Sequence, residues 1–340
     1  MRFPRKGERT LIVAEIGVNH DGSEERAREL IAAARSAGAD AVKLQLFRAD
    51  RLMHPSAAFA KYQADRVADH SPIEMLRRYE LSDEAVMRLV AAIRDAGLLP
   101  IVTPFSPGDL HLVGKIRPAF IKIASPDVVN PILLEAAAKL GRPMMVSTGA
   151  ATIEEISQAV AWLKKWKAAF ALLHCISSYP VAADQAHLGW ISQIARRWEI
   201  PVGYSDHTNE TLAGALAVAA GAVIVEKHLT FDRAASGPDH SASFDPGEFA
   251  AYARSIRGAE KMLGRGGRRV LAIERDVRKV SRQSLVLAEN LKKGRRLKRT
   301  DFFVQRPGTG IPAAKIGLLI GRRLRADAVA GTMLRWSDVS

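Results

Sequence analysis

Two histidines stand at the ends of apolar runs, in Tyr204-Ser205-Asp206-His207 and in Glu226-Lys227-His228. Imidazole nitrogens are common ligands of divalent metals, and the carboxylates Asp206 and Glu226 close by suit the same purpose. Between the two histidines lies the length of one αβ unit. Thr208-Asn209-Glu210 supplies a helix start, Thr211 to Ala220 an Ala-rich helix, Gly221 a stop, and Ala222-Val223-Ile224-Val225 the next strand. Parallel strands joined in this way bring both imidazoles to one rim of a sheet. Two unrelated strand-end histidines are the alternative, and the rest of the chain decides between the two.

Polar residues recur at the ends of other β-branched runs: Glu15, Lys43 and Gln45, Thr103, Lys122, Ser147 and Thr148, and His174. One buried Lys or Glu is ordinarily a paired structural ion. Recurrence at one end of successive strands is what a catalytic face predicts. Lys43 and Lys122 are fixed cations suited to a phosphate or a carboxylate. Ser147-Thr148-Gly149 opens a helix, whose hydroxyls and N–H groups add an anion site. Glu15 is a candidate to orient or deprotonate a nucleophile, and a metal on His207 and His228 keeps positions open for substrate oxygens or water. Together these describe a site for a phosphorylated carboxylic acid and an activated aldehyde or ketone. Cys175 reads as packing, since no base and orienter accompany it. His20 and Asp21 suit capping of the first helix as well as substrate contact. His54, His70, His111 and His187 read as surface residues.

Strands are expected at 10–17, 41–47, 99–103, 120–124, 143–147, 169–174, 201–204 and 222–228. Helices are expected at 23–38, 82–97, 109–115, 131–140, 152–166, 188–198, 211–220 and 245–263, the first capped by Ser23. Eight βα units in about 250 residues indicate a (β/α)8 TIM barrel. A doubly wound sheet is the alternative, but its glycine-rich fingerprint is missing after the first strand. The stretch 48–80 is polar, lacks a clear period, and follows the second strand on the side that carries substrate loops.

The formal net charge of +14 is unevenly placed. Residues 1–260 hold 30 Lys and Arg against 30 Asp and Glu, whereas residues 261–340 hold 20 against 6. That break suggests a domain boundary near Gly264-Arg265-Gly266-Gly267-Arg268-Arg269. The basic tail lacks interleaved aromatics and any nucleic-acid motif, which argues against DNA or RNA as a partner. No apolar run approaches the ~18 residues of a spanning helix, so no membrane partner is expected. The basic start Met1 to Lys6 leads into a short strand instead of a signal-peptide core, and the single cysteine excludes an internal disulfide. A cytoplasmic enzyme is the expectation.

Several of these segments also carry a family likeness. Ala14-Glu15-Ile16-Gly17-Val18-Asn19-His20-Asp21-Gly22, Val42-Lys43-Leu44-Gln45, Lys122-Ile123-Ala124-Ser125 and Ser147-Thr148-Gly149 resemble motifs of the sialic acid synthases. So do His174-Cys175-Ile176-Ser177-Ser178-Tyr179-Pro180, Gly203 to Thr208, Glu226-Lys227-His228 and Gly237-Pro238-Asp239-His240, all in family order. The tail from Ser281 to Asp338 is similar to the antifreeze-like (SAF) domain of the same enzymes, with Arg306-Pro307-Gly308-Thr309-Gly310-Ile311 as its signature, which implies a catalytic domain at 1–264, a linker at 265–280 and a small β-rich domain at 281–340.

The resemblance implies condensation of phosphoenolpyruvate with an N-acetylated hexosamine such as N-acetylmannosamine, releasing phosphate and forming a nine-carbon 2-keto acid. It implies Mn²⁺ or Mg²⁺ on His207 and His228, with Glu15 and Glu226 as further catalytic residues. Lys43, Lys122, Ser125, Ser147 and Ser205 are then expected to bind phosphoenolpyruvate, and Gln45, Tyr179 and Asp239 to face the sugar. Arg306 is expected to reach across a domain-swapped homodimer to the sugar's N-acyl group. Pro126 to Asn130, Ser177, and Val181 to Leu188 depart from common family patterns and leave the sugar open.

Overall fold

Eight parallel strands close into a barrel in chain order: β1 (Leu11–Glu15), β2 (Ala41–Leu46), β3 (Leu99–Pro104), β4 (Phe120–Ile123), β5 (Met144–Ser147), β6 (Phe170–Cys175), β7 (Val202–Asp206) and β8 (Ile224–His228). The computed structural model describes residues 1–58, 71–264 and 266–340. They divide into two units, Met1–Arg265 and Gly266–Ser340.

Strand geometry explains how an apolar barrel carries a polar rim. Successive side chains point to opposite faces, so each strand feeds two different cores. Ile12, Ala14, Val42, Leu44, Val102, Ile121 and Val225 pack outward against the helices. Leu11, Val13, Ala41, Ile101, Phe120, Met145 and Ile224 fill the interior, and Phe3 closes its floor by stacking on Phe120 with ring centroids 5.1 Å apart. One further step of two along β1, β2 and β8 reaches Glu15, Lys43 and Glu226. The register aligns Glu15 with Lys43 on one side and with His228 on the other.

The helices follow their caps. Ser23 accepts from the Arg26 N–H at 3.2 Å, so it caps the first helix, Glu24–Ser36. His20 instead accepts from Gly22, and Asp21 pairs with Arg26 and His240, so neither serves as that cap. The expected helix 109–115 begins one residue later, at Leu110–Ile116, behind a 3-10 turn over Pro107–Asp109.

The stretch 48–80, read as aperiodic, contains the helices Ala49–Leu52 and Pro72–Tyr79. The second is two turns long, too short to show a period in sequence. It buries Met75 and Tyr79 against Val18 and Phe47. Residues 59–70 of this stretch, His70 among them, lie outside the described residues.

The second unit is built around β9 (Ser284–Leu287), antiparallel to β10 (Phe302–Gln305), over a small core that includes Leu285, Leu287, Ile311, Leu324 and Leu334. Within 265–280, expected as linker, stand a 3-10 turn at Ala272–Glu274 and a helix at Arg275–Ser281. Among the described residues no helix is long and apolar enough to cross a membrane.

Candidate functional site

A cleft of about 470 Å³ opens at the C-terminal ends of the strands. Its floor carries charge. The Lys43 ammonium lies 2.7 Å from Glu15 Oε2 and 2.6 Å from Glu226 Oε1, and all three side chains are buried. Lys122 donates to Ser147 Oγ at 2.6 Å and to the Ile123 carbonyl at 3.1 Å, and stands 4.0 Å from Glu226. Ser205 Oγ donates to the same Glu226 oxygen at 3.2 Å. Burial alone would raise the Glu226 pKa, but Lys122 and Lys43 outweigh it and hold the carboxyl at about 2. Burial also brings Lys43 down to about 8, with Glu226 opposing the fall. At neutral pH Glu226 is therefore an anion and Lys43 largely a cation.

Glu15 differs from its expected place. It is 0% exposed, accepts from the Gly17 N–H at 2.6 Å, and does not line the cleft itself. Gln45 stands between it and the opening, 3.4 Å from Glu15 Oε1. Only glycine fits at position 17, because a Cβ there would sit 2.3 Å from that carboxylate oxygen.

The β5 exit forms an anion-ready corner. Gly149 N–H donates to Ser125 Oγ at 3.0 Å, and a Cβ on Gly149 would stand 2.2 Å from Ser177 Oγ. Thr103 Oγ1 is buried on the cleft wall with no hydrogen-bond partner among the described residues. It was legible in sequence only as one more strand-end polar residue.

The two histidines face each other with ring centroids 5.6 Å apart. His207 Nδ1 lies 2.9 Å from the Ile176 carbonyl, so it carries the proton and leaves Nε2 with its lone pair. His228 Nδ1 has no hydrogen-bond partner among the described residues and lies 3.7 Å from Asp239 Oδ2. Burial, with His207 and Lys43 nearby, pushes His228 well below the usual imidazole range, so it stays neutral. Burial lowers His207 too, but Cys175 and the Ile176 carbonyl outweigh it and raise that imidazole. Two facing imidazoles, each able to offer a ring nitrogen once unprotonated, fit a divalent metal. Among the described residues no set of three or more His, Cys, Asp or Glu joins them, so water and substrate would complete the coordination. Tyr179 packs over His207 at 4.0 Å between ring centroids.

Other strand-end residues turn away. Asp206, expected near the metal, faces outward and accepts from the Tyr252 hydroxyl at 2.7 Å. Its neighbours in sequence, Ser205 and His207, hold the inward phase, and adjacent strand residues cannot share a face. His174 likewise faces outward, stacked on Tyr204, with its Nε2 on the Ala186 carbonyl at 2.9 Å. It lines a larger cavity of about 730 Å³ between the helices Ile153–Lys165 and Gly189–Trp198. That cavity is mostly apolar and lacks the convergent charges of the cleft. Cys175 Sγ lies in the cleft wall 3.7 Å from His207 Nδ1.

His54, His111 and His187 are exposed. Arg306 belongs to the second unit, where it is exposed just after β10. An apolar part of the cleft lining is formed by Val18, Phe47, Leu52, Met75, Leu76 and Phe105.

Comparison with known proteins identifies relatives over nearly the whole chain. The NeuB family model matches residues 30–268, and the SAF domain model matches residues 282–340. An N,N'-diacetyllegionaminic acid synthase of Legionella pneumophila is 36% identical over 99% of this chain and 96% of its own length. The crystal structure of an N-acetylneuraminic acid synthetase from Leptospira borgpetersenii superposes with a TM-score of 0.73 at 33% identity, covering 80% of this chain and 90% of that one. That of a spore coat polysaccharide biosynthesis protein E from Chromobacterium violaceum gives 0.86 at 25% identity, over 98% and 100%.

Proposed function

The chain belongs to the NeuB family and carries a C-terminal SAF domain, and from that premise we propose that it condenses phosphoenolpyruvate with an N-acetylated amino-sugar aldehyde and water, giving a nonulosonic acid and phosphate. The observation that carries this reading is the convergence of two buried ammonium groups, Lys43 and Lys122, with two facing imidazoles in one cleft. Phosphoenolpyruvate needs cations for its phosphate and carboxylate, and the aldehyde needs an electrophilic assist.

Lys43, Lys122, Ser125, Ser147 and Ser205 bind the two anionic groups, with the Gly149 N–H beside them. The π electrons of the enol form a bond from C3 to the aldehyde carbon, and the aldehyde oxygen takes a proton. Water then adds at the C2 cation and loses a proton; as the bond from C2 to the phosphate oxygen breaks, the new hydroxyl gives its proton to the departing phosphate and leaves the 2-keto acid. Bound at His207 and His228, Mn²⁺ or Mg²⁺ supplies Lewis-acid polarisation and positive charge to this site. Glu15 orients Gln45 and Lys43 from beneath the cleft, and Glu226 opposes the loss of charge on Lys43 and holds its ammonium in place. Tyr179 and Asp239 face the sugar.

The acceptor is the point on which family members divide. Phosphoenolpyruvate contains no nitrogen, so the two acetylated nitrogens of an N,N'-diacetyl product come with the sugar. The apolar part of the cleft lining suits acetamido methyl groups more than a fully hydroxylated chain. A doubly N-acetylated hexosamine is therefore the favoured acceptor, ahead of N-acetylmannosamine. Arg306 contacts the N-acyl group from the partner in a swapped homodimer, and the enzyme works in the cytoplasm.

The test is phosphate release from phosphoenolpyruvate with a panel of singly and doubly N-acetylated hexosamines, each with Mn²⁺ and with EDTA. Metal-dependent release with one sugar supports the reaction and identifies the acceptor. No release with any sugar, from folded protein that binds metal, refutes the synthase reading.

A further inference from the structure

The outward-facing pair Asp206 and Lys227 has a position of its own. Lys227 is 0% exposed, and its Cα partner across the sheet is Asp206, also 0% exposed. The Lys227 ammonium donates to the Thr208 carbonyl and lies 3.4 Å from the Asp206 carbonyl and 4.0 Å from the Asp206 carboxylate. Those two carbonyls stand just before and just after His207. One charged group thus holds the backbone on both sides of that imidazole, from behind the sheet.

The rest of the cluster is organised around the same point. Asp206 accepts from the Thr208 N–H at 2.8 Å and from Tyr252 at 2.7 Å, and the ammonium packs 4.1 Å from the centre of the Phe244 ring. The residue after Lys227 on β8 is His228, which faces the cleft. Burying an ammonium carries a desolvation penalty that an apolar side chain of the same length avoids. Packing alone is therefore a poor account of a lysine here.

We propose that Lys227 is a positioning residue for the metal centre: it clamps the backbone on either side of His207 and so sets how that imidazole meets His228. This rests on the reading of His207 and His228 as metal ligands, and the experiment separates the two. Mn²⁺ affinity is measured by electron paramagnetic resonance on wild type, Lys227→Met, the double variant Asp206→Asn/Lys227→Met, and Phe244→Leu. Affinity for phosphoenolpyruvate is measured on the same proteins without metal.

Both Lys227 variants should bind Mn²⁺ roughly tenfold or more weakly, as loss of a ligand-orienting partner does. Their metal-free affinity for phosphoenolpyruvate should stay within about twofold of wild type, since Lys43 and Lys122 are untouched. Phe244→Leu should melt lower yet bind Mn²⁺ normally, because it leaves the backbone contacts in place. The double variant removes both buried charges together and so avoids the unpaired carboxylate that Lys227→Met leaves. Normal Mn²⁺ affinity in the double variant overturns the clamp, and so does equal loss of phosphoenolpyruvate binding, which marks a merely structural role. A wild-type protein that binds no Mn²⁺ overturns the metal reading itself.

Discussion

Replacing Lys43 by Met should unbalance the floor of the cleft in a way that pH reveals. In the wild type one ammonium serves two buried carboxylates, at 2.7 Å from Glu15 and 2.6 Å from Glu226. Without it the two anions face each other at roughly 5 Å, which at an effective dielectric near 20 is about 3 kcal/mol of repulsion. Loss of one partner from a buried ion pair costs about 3–5 kcal/mol by the same physics, and in a barrel of this size each kcal/mol lowers the melting temperature by about 2–4 °C. A fall of about 10 °C at pH 7 is the expected result.

The pH dependence should also change sign. In the wild type the Glu226 pKa lies at about 2, below its ordinary 4.5, so its contribution is complete above pH 4.5 and fades as pH falls towards 2. In Lys43→Met one carboxylate is forced to hold a proton, its pKa rises above 4.5, and stability then increases as pH falls from 7 towards 5. Thermal melts of both proteins at pH 5 and pH 7 measure this. The deficit of the variant should shrink on acidification, and Lys43→Met/Glu226→Gln should recover much of it at pH 7. A variant that melts within about 2 °C of wild type at pH 7, or whose deficit grows at pH 5, refutes the reasoning.

Three further outcomes are expected. Gly149→Ala drives a Cβ to 2.2 Å from Ser177 Oγ and 2.9 Å from Ser125 Oγ, so KM for phosphoenolpyruvate should rise at least about tenfold while the melting temperature falls only a few degrees. His207→Ala and His228→Ala should each abolish high-affinity Mn²⁺ binding in calorimetry, yet leave metal-free phosphoenolpyruvate binding within about threefold, since the anion contacts stand apart from them. Arg306→Ala should raise KM for the sugar while sparing KM for phosphoenolpyruvate. At low sugar concentration, mixed dimers of Arg306→Ala and Glu15→Ala chains should be more active than either homodimer, and absence of that gain counts against the swapped arrangement.

Much of the barrel and its rim was legible in the order of residues alone. Helix starts such as Ser23 and Ser82, stops such as Gly221, and β-branched runs mark βα units, because caps and side-chain periods are local physics. Polar residues recurring at one end of successive strands, Lys43, Lys122 and Glu226 among them, mark the catalytic end, because scattered structural ions would not share an end. The short helix Pro72–Tyr79 was not legible, because its burial depends on Val18 and Phe47 from elsewhere in the chain.

Sequence by itself determined which polar residues stand at strand ends, where the units divide by charge, and which family motifs occur in order. Tertiary structure decided which of those residues share the cleft. The inward phase of each strand is set by its neighbours around a closed barrel, so only the register could send His207 and Glu226 inward and Asp206, Lys227 and His174 outward. It also decided the pairing of Lys43 with Glu226, 183 residues away, and the burial of Glu15 beneath Gln45. Those are contacts between distant strands, and no local propensity encodes them.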